Sequence, residues 1–352
     1  MQAFSKTDNY ILRLLKILLG ACLVTPLLAW SGVIFPYTAP KGLAFRVLVE
    51  IATVLYLYLA LRYPKIFCHS SYFSVIPAQA GIQDPGFRIK FGTTISIAVL
   101  IFFFLSFFSA IFGADFYASF WGNLERGMGI FSFLHFVVWF LMLVSVFNAD
   151  RVGKEIKENK VTRSRGGEAT LRDGFFHQLI KISVFASALI SLLAIGQHFF
   201  SISDLLPQAD RVYSLIGNAG VLGSYLIFNI FLAGYLVFSE FIILSPATAR
   251  LRIYFFLYSL FIILNSFALL LSGTRGAWLG LLAGGIVFLI LISFLPTLKK
   301  GGWGGFKKLS ITFLVVIFIS TSLLVFSRNS SFIKTNPTLS GLTSISLRDS
   351  TV

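Results

Sequence analysis

Apolar runs recur along this chain, and short polar or charged stretches separate them. A helix needs roughly 20 consecutive apolar residues to cross a bilayer. Runs of that kind cover about 12–34, 44–62, 93–112, 128–148, 178–200, 217–243, 253–271, 277–296 and 310–327. The pattern predicts an all-α fold, a single membrane domain over 1–352 built as a bundle of about nine spans. The basic start followed by an apolar run has the outline of a signal peptide. However, 12–34 is too long for a signal core and has no convincing cleavage site, so it reads as the first span. No repeat of fixed period is present, which excludes solenoids and propellers.

Composition agrees with the pattern. The chain is 57% hydrophobic and 12% charged, against about 25% charged in an ordinary soluble domain. Its two cysteines, Cys22 and Cys68, provide neither a disulfide framework nor metal-ligand spacing. We expect no metal and no cofactor.

The net charge of +15 invites a nucleic-acid partner, and its distribution argues against one. With the N-terminus in the cytoplasm, 21 of the 29 lysines and arginines fall in cytoplasmic loops and flanks. The positive-inside rule then predicts a cytoplasmic N-terminus and an external C-terminus in a multi-pass membrane protein. Lipid is the expected partner of the basic surplus. Three segments stand apart from the spans. Residues 149–176 are a charged cytoplasmic loop, and 328–352 begin an outer loop. Residues 67–91 have no helical or strand periodicity, and Ile76 to Gln83 looks like the translation of a dispersed bacterial DNA repeat, so they read as an inserted cytoplasmic loop.

Candidate chemistry lies in the predicted outer loops, where basic residues are scarce. Arg275 sits in Ser272-Gly273-Thr274-Arg275-Gly276-Ala277-Trp278, on a short turn between two spans. Arg211 precedes Gly217-Asn218-Ala219-Gly220, and Arg126 lies in Ser119-Phe120-Trp121-Gly122-Asn123-Leu124-Glu125-Arg126-Gly127-Met128-Gly129. Lys41 and Arg46 form a further cluster, with Glu50 placed for an i,i+4 pair with Arg46. An arginine at a helix end commonly snorkels to headgroups. For Arg275, Gly276, Gly280 and Gly284 form a small-residue face that predicts close helix packing, with the turn directed toward the bundle interior. Converging arginines suit a diphosphate, because guanidinium groups stay charged and bind phosphate oxygens in pairs.

These motifs, in this order, resemble those of the O-antigen ligase and polymerase-like family, as do Phe35-Pro36 and Phe45-Arg46-Val47-Leu48-Val49-Glu50. The resemblance implies an inverting, metal-independent glycosyltransferase. It moves a glycan from a polyprenyl-diphosphate carrier to a lipid or glycan acceptor on the outer face of the membrane. Ligase and polymerase activities both remain open. By resemblance, Arg275 and Arg211 hold the carrier's diphosphate, and Arg126 lies on the acceptor or glycan path. The family also places a histidine in a His-Asn context in a large outer loop, and this sequence has no such histidine. His198, near the outer end of a span, is the weak substitute, with a packed polar side chain as the commoner explanation. The resemblance therefore implies a truncated member lacking its acid–base residue, inactive by itself. Two other readings stay open. One is a secondary transporter or flippase for a lipid-linked or anionic solute, and the other is a membrane binding or scaffold protein. Glu240, an acid within a span, keeps the transporter in view.

Overall fold

A computed structural model of the chain describes residues 4–67, 91–123, 127–158, 174–243 and 249–294. Among these residues the structure is all-helical, without a strand. Helix α1 (Lys6–Ala21) continues as a 3-10 turn to Leu27. The other helices are α2 (Ala39–Arg62), α3 (Pro64–Phe67), α4 (Phe91–Ile111), α5 (Phe116–Trp121), α6 (Ile130–Glu158), α7 (Phe175–Phe199), α8 (Ala219–Ile243), α9 (Ala249–Leu271) and α10 (Arg275–Phe294).

Among the described residues, six helical stretches are long and apolar enough to cross a membrane: Lys6–Leu27, Ala39–Arg62, Ile130–Phe147, Phe175–Phe199, Ala219–Val237 and Ile253–Leu271. Ile95–Ile111 and Arg275–Ile290 are shorter apolar helices. The expected span 310–327, the loop residues 68–90 and 159–173, and the segment 328–352 lie outside the described residues.

Three boundaries differ from the sequence expectation. The first span covers 6–27, not 12–34. Ser5 caps α1 ahead of the apolar run, its Oγ accepting from Asp8 N at 3.1 Å. At the other end Pro26 has no N–H to continue the helical ladder, and the chain turns extended at Leu28. The second span starts at Ala39, where Pro40 in the first turn suits a helix start. Helix α6 runs to Glu158, ten residues into the stretch expected to be a loop from 149.

Two groups of helices make the core. In the first, α1, α2 and α6 enclose Leu15, Leu19, Val49, Ala52, Leu59, Met142 and Val146. In the second, α7, α8, α9 and α10 enclose Ile190, Ala194, Leu222, Leu226, Ala268, Leu269 and Ala277. Lipid is as apolar as leucine, so helices in a membrane associate through close packing and interhelical hydrogen bonds. Both devices are present. Alanines line the contacts, and Gly20 admits α7 so closely that a Cβ there would lie 3.0 Å from Ile182.

A seam of hydrogen bonds ties the second group together. Ser191 Oγ donates to Asn265 Oδ1 at 2.6 Å, Asn265 Nδ2 to Ser187 Oγ at 3.0 Å, and Ser183 Oγ to Asn229 Oδ1 at 2.8 Å. Replacing Asn265 with alanine breaks two bonds between α7 and α9. At roughly 0.6–1 kcal/mol per interhelical bond, the expected loss is about 1–2 kcal/mol. SDS titration of the folded fraction measures it.

The helix ends on the N-terminal side of α1 are closed by a buried carboxylate. Asp8 accepts from Ser5 Oγ and Tyr63 OH at 2.6 Å and from Tyr58 OH at 3.2 Å, and pairs with Arg62 at 3.4 Å. That knot clasps the start of α1 to the end of α2. The opposite, distal end carries the loops discussed next.

Candidate functional site

Three pieces of chain meet at the distal end: the start of α2, the loop 200–218, and the turn 272–274 between α9 and α10. The loop is fastened from below. Gln197, fully buried in the last turn of α7, accepts at Oε1 from Tyr213 N (3.1 Å) and Ser214 N (2.8 Å). Ser214 Oγ donates to Ile190 O at 2.8 Å. From the side, Tyr37 OH donates to Leu205 O, and the Lys41 ammonium donates to Leu215 O while lying 5.9 Å over the Tyr37 ring. Burial, then the neighbouring Tyr213, pushes the Tyr37 phenol up to about 12, so it is a lasting donor.

Gly217 ends this loop in a left-handed conformation (φ 82°), and a Cβ there would sit 2.5 Å from Tyr37 Cγ. Only glycine fits both demands. Asn218 follows as the cap of α8, its Oδ1 accepting from Gly220 N (2.8 Å) and Val221 N (3.2 Å). The motif Gly217-Asn218-Ala219-Gly220 is thus a turn followed by a helix start.

Arg211 rides on the neighbouring turn. Its Nε donates to Ser272 O at 3.0 Å, Val212 N donates to Leu271 O at 3.3 Å, and its side chain runs along Gly273, which has φ 60°. Arg275 opens α10 two residues later. The starts of α8 and α10 are joined by Thr274 Oγ1, which donates to Ala219 O at 3.0 Å. The structure therefore brings Arg211 and Arg275 to one turn between two helix N-termini, whose dipoles add to the positive potential. Both arginines are exposed. Among the described residues neither they nor Lys41 has a carboxylate partner; Asp204 and Asp210 in the same loop are exposed and unpaired.

The turn before Arg275 packs against the bundle as expected, with Ser272 fully buried and Thr274 Oγ1 on Ala219 O, while the Arg275 side chain itself is exposed. Gly280 and Gly284 do face α8, where a Cβ would meet Ile227 at 3.3 Å and Phe231 at 2.8 Å. At Gly276 a Cβ would meet no described residue within 4 Å. The small-residue face packs at its two lower rungs, and Gly276 and Arg275 at its top are exposed.

Arg126, with 124 and 125, lies outside the described residues; the chain on either side of it is described. Gly122 (φ 77°) and Gly129 lie back to back, and a Cβ on Gly129 would run into Phe120 O and sit 2.5 Å from Gly122 N. Arg46 fastens the loop, its Nη2 donating to Gly127 O at 2.7 Å and to Ser132 Oγ at 2.6 Å. This differs from the expected Arg46–Glu50 pair. Glu50 instead meets His135 Nε2 at 3.2 Å across the α2–α6 contact. The loop offers Arg46 a backbone carbonyl at close range, and a tertiary partner of that kind leaves no trace in i,i+4 spacing.

His198 stands at the end of α7 with its Nδ1 buried and without a hydrogen bond, its ring 5.1 Å edge-on to Phe199. Among the described residues no hydrogen bond joins it to either arginine, and no cluster of three metal-ligating side chains occurs. The residues missed in the sequence are Tyr37 and Gln197. Tyr37 reads as one more interfacial aromatic, whereas a glutamine within an apolar run was a visible flag.

No family model, curated protein or solved structure matches this chain.

Proposed function

We propose that the distal arginines hold a lipid-linked diphosphate, and that the chain belongs to an O-antigen ligase-like glycosyltransferase of the bacterial inner membrane, with polysaccharide polymerase as its variant. The observation that carries this reading is the docking of Arg211 on the turn that leads into Arg275, between two helix N-termini and, among the described residues, without a paired carboxylate. The positive-inside rule puts that face outside the cell. Arg211 spends Nε on Ser272 O, leaving its two terminal nitrogens for phosphate oxygens. In the reaction, the bond between the sugar's anomeric carbon and the diphosphate breaks and the acceptor oxygen bonds that carbon from the opposite side. The acceptor's proton goes to a base, for which His198 is the weak candidate. Fixed cations beside the diphosphate stabilise the charge it gains as it leaves. Arg126 is proposed for the glycan or acceptor path by resemblance only.

The reading is tested by the affinity of the protein in nanodiscs for undecaprenyl diphosphate, undecaprenyl monophosphate and a zwitterionic phospholipid. Preference for the diphosphate is expected; equal affinity for all three would sink the reading. Transport of a lipid-linked or anionic solute is the second reading. Buried polar groups within spans often mark a pathway, and the Ser183–Asn229 and Ser187–Asn265–Ser191 seam is the feature that favours it.

A further inference from the structure

The start of α2, with Tyr37 just before it, touches the Arg211 loop on both sides of Arg211. Upstream of Arg211, the Tyr37 hydroxyl holds Leu205 O. Downstream, the Tyr37 ring lies under Gly217 and edge-on to Tyr213 (5.9 Å), and Lys41 holds Leu215 O. Five residues beyond Lys41, Arg46 holds the second distal loop at Gly127 O. One helix end thus serves as a common frame for two loops that belong to different groups of helices. Gln197, Ile190 and the Leu271–Ser272 turn hold the stretch from Ala209 to Ser214, and Tyr37 and Lys41 add a hold at Leu205 and Leu215 on either side of it.

We infer that Tyr37 and Lys41 are positioning residues that set the height of Arg211 over the Ser272–Gly273 turn, and that anion binding by Arg211 depends on them. The inference rests on the diphosphate reading only for its ligand. Lys41 spends its charge on a neutral carbonyl and the Tyr37 ring, which explains a basic residue at this place without assigning it to the anion. Burying an ammonium there is worthwhile only if the carbonyl and the ring face hold it.

Two measurements on the intact protein in nanodiscs test this. The first is hydrogen–deuterium exchange of the amides from Arg211 to Leu215, which needs no ligand. The second is affinity for farnesyl diphosphate as a soluble probe. Tyr37→Phe removes one hydrogen bond and no charge, so an effect on the probe cannot come from a weaker positive field. Faster exchange and about fivefold weaker binding are expected, the equivalent of one ordinary hydrogen bond. Lys41→Met should do the same, while Lys41→Arg, which keeps a charged donor, should restore both. The melting temperature should stay that of the wild type, since a general packing defect would lower it.

Unchanged exchange in both Tyr37→Phe and Lys41→Met would overturn the inference. So would faster exchange with unaltered probe affinity, because Arg211 would then not need the frame. A wild type that binds no farnesyl diphosphate counts against the diphosphate reading, while exchange still decides whether the frame places Arg211.

Discussion

The Arg211→Ala, Arg275→Ala double variant is expected to bind a prenyl diphosphate about a hundredfold more weakly than the wild type. A hydrogen bond to a charged group contributes roughly 1.5–3 kcal/mol, and exposure lowers that toward about 1.4 kcal/mol, or tenfold, for each arginine. Each single variant should therefore lose about tenfold, with Arg211→Ala the more damaging. Its side chain is already oriented by the bond to Ser272 O, so little ordering is left to the ligand. Lysine should recover only part of the loss, since it keeps the charge and gives up the planar fork. Raising the salt should weaken the wild type more than the double variant, because the pair is exposed and screened by ions. Titration in nanodiscs at two ionic strengths reads all of this. Equal affinity in wild type and double variant would remove the arginines from the site.

A second large effect is expected at Gly129. A Cβ there meets the Phe120 carbonyl and the Gly122 nitrogen, both of them backbone atoms with nowhere to retreat. Overpacking costs roughly 1–3 kcal/mol, and a clash with backbone belongs at the upper end. Gly129→Ala should therefore open the 122–129 loop. The observable is rapid protease cleavage there, together with a lower melting temperature. Gly42 is the contrast. It lies in the first turns of α2, where a Cβ would meet no described residue within 4 Å. Gly42→Ala should be neutral or stabilise by up to about 1 kcal/mol through helix propensity. If the two variants behaved alike, the close approach of Gly122 and Gly129 would be wrong.

Legibility in the sequence varied by type of feature. Helical spans were readable because lipid demands long apolar runs, and Ala39–Arg62, Phe175–Phe199 and Ala219–Val237 fall near their expected places. The start of α1 was misplaced because Ser5 begins the helix before the apolar run does. Arg211 and Arg275 stood out as charges in a greasy chain, yet their meeting did not. They are 64 residues apart, and only the hydrogen bonds of Ser272 O and Leu271 O to the Arg211 loop bring them together. Glycine was the least readable residue. Gly217, Gly129 and Gly276 look alike in sequence, but a tyrosine ring crowds the first, a crossing backbone crowds the second, and no described residue crowds the third.

The sequence by itself determined that this is an all-helical membrane protein with cations at its helix ends. Both properties are local, since hydrophobic length and charge need no neighbour to be counted. The tertiary structure alone decided that the Arg211 loop docks on the turn leading into Arg275. It also decided that Tyr37, Lys41 and Arg46 hold loops. Those outcomes depend on carbonyls and rings from distant segments, and pairing across such distances is settled only when the helices pack.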